Sequence, residues 1–273
     1  MADMTPGVPS ALSPLVRRIV GPNPGPMTGP GTNTYLVGID EVAVIDPGVD
    51  DAAHVESIVG ASMRERIRWV LLTHLHPDHF PAAERLVAAT GAEVLAGSSR
   101  EPGLKVDRVI GEGDIVDGTE FGLEVIATPG HAPDHLCFLL EEERLLFTGD
   151  TVLQGTTSVI HPPRGDLAVY LTTLERLRKL RLSRIAPGHG DVIEDPRGAI
   201  TEYLEHRAKR ERELLDALGG GPHTVKALVK VIYPEISEEL REVAGWQTYA
   251  TLIKLRTEGK VQGRDSRSSW SLT

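Results

Sequence analysis

The stretch "LLTHLHPDHF" (71–80) places three histidines and an aspartate within six positions, His74 to His79. The run before it, "RIRWVL" (66–71), is apolar enough for a buried strand. A buried strand that ends in groups able to hold protons and metals points to a site at its end. In an extended segment residues two apart point the same way, so His74 and His76 can share one metal ion. Pro77 then bends the chain, and Asp78 and His79 are presented from the turn before the next helix. Zinc takes neutral imidazole and carboxylate, and catalytic zinc leaves one position for water. The competing reading is a polar loop with solvated histidines. Against it, further candidate ligands follow at similar strand ends: His131 in "ATPGHA", Asp150 in "LLFTGDT" and His189 in "IAPGHGD". Each follows a short apolar strand and has a flanking glycine, which lets the backbone turn tightly and approach an ion.

Composition bounds the rest. The chain has 273 residues, 40% hydrophobic and 25% charged, enough for a sizeable core without staples. Its single cysteine, Cys137, excludes an internal disulfide framework and a cysteine zinc site, so any metal falls to His, Asp or Glu. No apolar run reaches signal-peptide or membrane-span length. The expectation is a soluble cytoplasmic protein, with no membrane partner, whose first dozen residues are loosely held. The net charge of −10 is uneven: 16 Lys+Arg against 28 Asp+Glu lie in residues 1–195, and 13 against 11 in residues 196–273. That balance does not advertise a broad nucleic-acid surface.

Along the chain, "TNTYLVGIDEVAVIDPG" (32–48) reads as two strands stopped by Pro-Gly. Helical spacing follows at 50–63, a strand at "RIRWVLLT", a helix at 80–91 closed by Gly91, and a strand at 92–96. Four short strands come next, in "KVDRVI", "LEVIATPG", "HLCFLLEEE" and "RLLFTGD". Then come an amphipathic helix (166–180), the strand "SRIAPGHG" and a long charged helix (196–218). "GGGP" (219–222) is the clearest linker, and after it three helices and a hairpin outline a winged helix. The expected domains are therefore 1–218 and 219–273.

The histidine and aspartate pattern resembles the metallo-β-lactamase superfamily, over about Gly21 to Asp195. The resemblance implies an αββα sandwich with two metal ions at one edge, a mixed α/β fold followed by the winged-helix-like module. It implies that His74, His76 and His131 hold the first ion, that Asp78, His79 and His189 hold the second, and that Asp150 bridges them. Two zinc ions roughly 3.5–4 Å apart can share a hydroxide and clamp an anionic transition state. Asp78 and Asp150 are then the catalytic carboxylates, Asp78 also handling the nucleophile's proton. Manganese or iron suit the same ligands.

Asp150 argues against antibiotic hydrolysis, since two-zinc β-lactamases usually lack this bridging Asp; Cys137 lies mid-strand and reads as a small buried residue. His135 reads as structural or ligand-orienting. His54, His161, His206 and His223 read as ordinary surface or packing histidines. "NPGPMTGPGTNTYLVG", "TPGHAPDH" and the winged-helix outline are similar to the β-lactamase-like endoribonuclease branch, which implies single-stranded RNA as substrate. Close relatives in that branch are carrier-protein thioesterases, and glyoxalase II shares the metal site but not the C-terminal module. The ligands fix hydrolysis, not the substrate, RNA or a small thioester. Asn33, Thr156 in "QGTTSV" and Arg164 in "HPPRGD" are candidate substrate contacts. A non-enzymatic winged-helix nucleic-acid binder would need missing ligands, and its recognition helix "WQTYATLIKLRTEG" carries only Lys254 and Arg256 as cations. The tail packs on the enzyme, covers part of the cleft or mediates a homodimer.

Overall fold

The computed structural model describes residues 4–273. Two compact units are distinguished, and each is built from several chain segments. Among the described residues the first comprises 4–128, 134–157 and 180–196; the second comprises 129–133, 158–179 and 197–273.

The first unit carries two sheets. Seven strands lie in sequence order in one sheet: β1 (Ser10–Ala11), β2 (Val16–Val20), β3 (Asn33–Val37), β4 (Glu41–Ile45), β5 (Arg66–Leu71), β6 (Glu93–Ala96) and β7 (Arg108–Val109). The strands from β4 to β7 run parallel, joined where needed by helices α1 (Ala52–Gly60) and α2 (Ala83–Thr90). The second sheet holds β8 (Ile115–Asp117), β9 (Gly122–Ala127), β10 (Leu136–Leu140), β11 (Leu145–Gly149) and β12 (Arg184–Pro187), in spatial order β12-β11-β10-β9-β8.

One core lies between the sheets. Tyr35, Ile45, Trp69 and Leu71 of the first sheet pack with Val125, Leu136, Phe138 and Phe147 of the second. Residues alternating with these, such as Leu36, Val44 and Val70, pack instead with Val55 and Ile58 of α1 and Leu86 of α2. Because β3, β4 and β5 are covered on both faces, they read as nearly continuous apolar runs. Gly91 closes α2 in the left-handed conformation, φ 72°.

The second unit contains α3 (Leu167–Leu177) and the 23-residue α4 (Pro196–Leu218). A three-stranded sheet, β13 (His223–Thr224), β14 (Val261–Gln262) and β15 (Ser269–Leu272), joins α5 (Val225–Ile232) and α6 (Arg241–Thr257) as a winged helix. Its core is Leu228, Leu252, Leu255 and Trp270, and it takes in Leu214 and Leu218 from the end of α4.

Three local expectations differ from the structure. Residues near the N-terminus are tied down: Ser10 and Ala11 pair with Arg18 and Arg17, and Gly7 donates to the Val20 carbonyl at 2.9 Å. The expected second helix of the module is one 3-10 turn, Glu238–Leu240, and the rest of it continues into α6, because Gly245 tolerates helical geometry. Strands β2 and β8 also escaped the sequence reading. Among the described residues no helix is long and apolar enough to cross a membrane.

Candidate metal centre

The site forms in the first unit, where ends of both sheets meet. Leu136 N–H donates to the Thr73 carbonyl at 2.7 Å, and Asn33 N–H to the Gly188 carbonyl at 2.8 Å. The first bond ties the loop after β5 to the start of β10, the second ties the start of β3 to the loop after β12, and Gly188 N–H, donating to the Gly149 carbonyl at 2.8 Å, brings the end of β11 to the same place. Gly149 sits just before Asp150 with φ 44°, and a Cβ there would lie 2.5 Å from Thr73 Oγ1. A Cβ on Gly188 would meet Asp150 Oδ1 at 2.8 Å and the His79 ring at 3.0 Å. The glycines preceding Asp150 and His189 are thus required by close approach, as the sequence pattern suggested.

Two sets of donors converge. His74, His76 and Asp150 each offer a ligand atom, all within 4.8 Å of one another, and Asp78, His79 and His189 do the same. His189 Nε2 stands 3.2 Å from Asp78 Oδ2 and 3.4 Å from Asp150 Oδ1. His79 Nε2 is 3.6 Å from Asp78 Oδ2 and 3.5 Å from Asp150 Oδ1; it is buried and has no hydrogen-bond partner. An orphaned ring nitrogen facing two carboxylates is costly by itself and fits a cation between them.

The tautomers follow from the hydrogen bonds. Asp46 is buried at the end of β4, with φ 49°, and accepts from Thr73 N–H at 2.8 Å, Thr73 Oγ1 at 2.6 Å and His79 Nδ1 at 2.8 Å. His79 therefore carries its proton on Nδ1 and offers the Nε2 lone pair. Thr73 Oγ1 donates to Asp46, so it accepts from His74 Nδ1 at 3.0 Å, which leaves the lone pair on His74 Nε2, 2.9 Å from His76 Nδ1. His189 Nδ1 donates to the Gly31 carbonyl at 3.3 Å, and its Nε2 faces the carboxylates. His131 lies on the loop 129–133, assigned to the second unit; there its Nδ1 donates to the Val159 carbonyl at 2.7 Å, which leaves Nε2 unprotonated. Four histidines anchored through Nδ1, with Nε2 as lone-pair donor, is the arrangement of metal ligands oriented by a hydrogen bond on the far nitrogen.

The electrostatics agree. Burial opposes charge on His79, but Asp46, Asp78 and Asp150 outweigh it and raise its pKa well above the ordinary imidazole range. Burial likewise opposes charge on His189, yet Asp150 and Asp78 raise its pKa. Burial pushes the Asp78 carboxyl up, while His79 and His189 overcome it and hold the pKa below the usual carboxylate value. The cluster is a concentrated demand for positive charge, which divalent ions meet.

Two supporting residues had different legibility. Asp46 was missed; its only signal was a strand ending in "VIDPG", an aspartate before a tight turn. His135, read as structural or orienting, accepts Asp150 N–H at Nε2 (3.1 Å) and donates from Nδ1 to Thr128 Oγ1 (2.8 Å), so it fixes the Asp150 backbone. His54 is buried and donates from Nε2 to Thr34 Oγ1 at 3.1 Å, and Thr34 in turn donates to the Asp46 carbonyl at 2.7 Å. Cys137 is buried with Sγ 3.3 Å from Thr128 Oγ1.

The expected substrate contacts separate. Asn33 is fully buried and spends its amide hydrogens on the Pro187 (2.9 Å) and Gly190 (2.8 Å) carbonyls. It therefore holds the His189 loop in place through its amide hydrogens. Thr156 is exposed on the loop after Asp150, and Arg164 is exposed on the segment before α3.

A two-sheet α/β sandwich with this His/Asp cluster defines a metal-dependent hydrolase, and the chain belongs to the metallo-beta-lactamase superfamily. Residues 27–189 match that superfamily, and residues 224–270 match the beta-lactamase associated winged helix domain. The chain is 37% identical to a beta-lactamase-like protein 2 homolog of Caenorhabditis elegans, over 76% of this chain and 72% of that protein. It is 34% identical to an atrochrysone carboxyl ACP thioesterase of a Cryptosporiopsis species, over 92% of this chain and 82% of the relative. A metallo-beta-lactamase family protein from Thermus thermophilus superposes with a TM-score of 0.81 at 25% identity, covering 96% of this chain and 100% of the other.

Proposed function

We propose that the chain is a two-metal hydrolase of acyl thioesters. The paired donor sets carry the reaction class: His74, His76 and His131 would hold one ion, Asp78, His79 and His189 a second, and Asp150 both. Zinc suits neutral imidazole with carboxylate, and manganese or iron are admitted by the same set. Bound there, such ions polarise a carbonyl oxygen and bring the pKa of water down to about 7. The chain's own groups do the rest. Asp46, Thr73 and His135 hold the ligands in register. Asp78, 30% exposed, is the carboxylate open enough to take a proton from attacking water at Oδ2 and return it to a departing thiolate. Thr156, exposed on the loop after Asp150, would offer its hydroxyl to the acyl group.

The choice of substrate rests on charge. In the first unit Arg17, Arg18, Arg68, Arg85, Lys105 and Arg184 are each paired with a carboxylate. Residues 1–195 also carry 28 Asp+Glu against 16 Lys+Arg, so a polyanion would meet a predominantly acidic surface there, whereas a thioester needs no cations. The thioesterase named among the relatives supports the same choice. Single-stranded RNA is the second reading. Arg164, exposed and in no ion pair among the described residues, is available to a phosphate. A cytoplasmic setting belongs to the same proposal and rests on the lone Cys137. A side-by-side assay with acyl-pantetheine thioesters, lactoylglutathione and fluorogenic single-stranded RNA, each with and without chelator, decides. Chelator-sensitive thioester hydrolysis with RNA left intact is expected; RNA cleavage with thioesters untouched reverses the choice.

A further inference from the structure

The second unit holds a cavity of about 500 Å³ that the hydrolytic reaction does not use. Trp246 and Tyr249 of α6, Lys226 and Lys230 of α5, His161 and Glu242 line it. Gly245 lies in the same wall, where an added Cβ would meet no atom within 4 Å. The indole of Trp246 is only half-buried, and the exposed His161 ring stacks on it at 4.1 Å and 20°. The indole thus already receives a flat ring in parallel at stacking distance. Lys226 and Lys230 are four apart, which puts both ammonium groups on one helix face. Both are exposed, and neither takes part in an ion pair among the described residues. Arg241, also at the wall, is satisfied by Glu238 at 2.7 Å. Glu242 is the carboxylate left over.

We propose that this cavity binds a nucleoside phosphate, with the base against Trp246 and Tyr249 and the phosphate on Lys226 and Lys230. The volume suits a ligand of that size. An aromatic face supplies stacking that any base can use, and the paired lysines supply charge for the phosphate. Glu242 accepts from an exocyclic amine, which favours adenine over uracil. The same chemistry occurs at the nucleotide end of a coenzyme A thioester and in a nucleotide of single-stranded RNA. Binding at this cavity is independent of which reaction the metal centre performs.

The test is calorimetric titration of the full chain with adenosine, AMP, ADP, coenzyme A and the pentanucleotide r(A)5. AMP and ADP should bind at least about tenfold more tightly than adenosine, and AMP more tightly than UMP. Trp246→Ala should weaken AMP by about tenfold or more. So should the double variant Lys226→Glu/Lys230→Glu, whose side chains are exposed and leave the core untouched. Gly245→Leu, which adds a side chain to open space, should block binding while circular dichroism stays unchanged. Coenzyme A tighter than r(A)5 would identify an acyl carrier as the source of the nucleotide; the reverse order would identify RNA. No binding of any nucleotide at millimolar concentration, or AMP binding unchanged in the lysine double variant, would overturn the proposal.

Discussion

Asp46→Asn exchanges one buried oxygen for an amide NH₂ and leaves the shape intact, and asparagine tolerates the positive φ of this position. The wild-type carboxylate accepts three hydrogen bonds: Thr73 N–H on Oδ1, and Thr73 Oγ1 and His79 Nδ1 on Oδ2. If the asparagine oxygen takes the Thr73 N–H, its NH₂ faces the Thr73 hydroxyl and His79 Nδ1. His79 must then accept on Nδ1 and move its proton to Nε2, the atom that faces Asp78 and Asp150. The disturbance passes on. A Thr73 hydroxyl that no longer donates to residue 46 is released to donate to His74 Nδ1, which shifts that ring's proton to Nε2 as well. Losing a ligand-orienting partner costs roughly 10–100-fold in metal affinity, or about 1.4–2.7 kcal/mol. That matches the ~1.5–3 kcal/mol of one hydrogen bond to a charged group. The assay is zinc titration of the metal-free protein against a chromophoric chelator, with circular dichroism to confirm the fold. Both sites should weaken by that factor. An Asp46→Asn protein that folds and binds both ions as tightly as wild type would refute the tautomer argument.

Other outcomes follow from the same geometry. Asp150→Ala should lower metal content and abolish turnover, because it removes a donor of the first set whose Oδ1 also faces His79 and His189; metal analysis and rate measurement check this. His135→Ala should leave metal binding possible but slow hydrolysis, since Asp150 N–H loses its acceptor; a rate equal to wild type would contradict the role given to His135. Burial lowers the pKa of His54 below its ordinary 6.5, so the folded state favours the neutral ring. Its contribution to stability is full above that value and is lost as pH falls through the lower folded pKa. His54→Gln should accordingly flatten that part of the acid-unfolding curve relative to wild type. Deleting everything after Leu218 uncovers Leu214 and Leu218, now 1% and 2% exposed. At about 1.5–3 kcal/mol for each apolar side chain the truncated chain should melt earlier and bind a hydrophobic dye. Unchanged melting would mean that these leucines do not need the winged helix.

The sandwich was legible because its strands are short apolar runs ended by glycine and proline, and the clustering of histidines and aspartates that could hold a metal because they follow those runs. Asp46 was not legible, since a lone aspartate before Pro-Gly also reads as an ordinary turn; only the fold brings Thr73 and His79 to its oxygens. Asn33 shows the converse. Its polarity and its place near the site suggested a substrate contact, but the direction its amide takes is set by pairing with the Gly188–Gly190 loop. The 3-10 turn before α6 was hidden because glycine at 245 reads as a helix break, whereas packing of Ala244, Leu252 and Leu255 carries the helix through. The cavity at Trp246 needs α5, α6 and the His161 segment together, and no local pattern reports that.

The most direct measurement is metal content against activity on one sample: the metal-free protein is titrated with zinc while bound metal and acyl-thioester hydrolysis are followed together. Two ions per chain are expected, with hydrolysis appearing as the second site fills and vanishing on chelation. Binding of one ion or none at saturation, or hydrolysis that persists in the metal-free protein, would contradict the two-metal account.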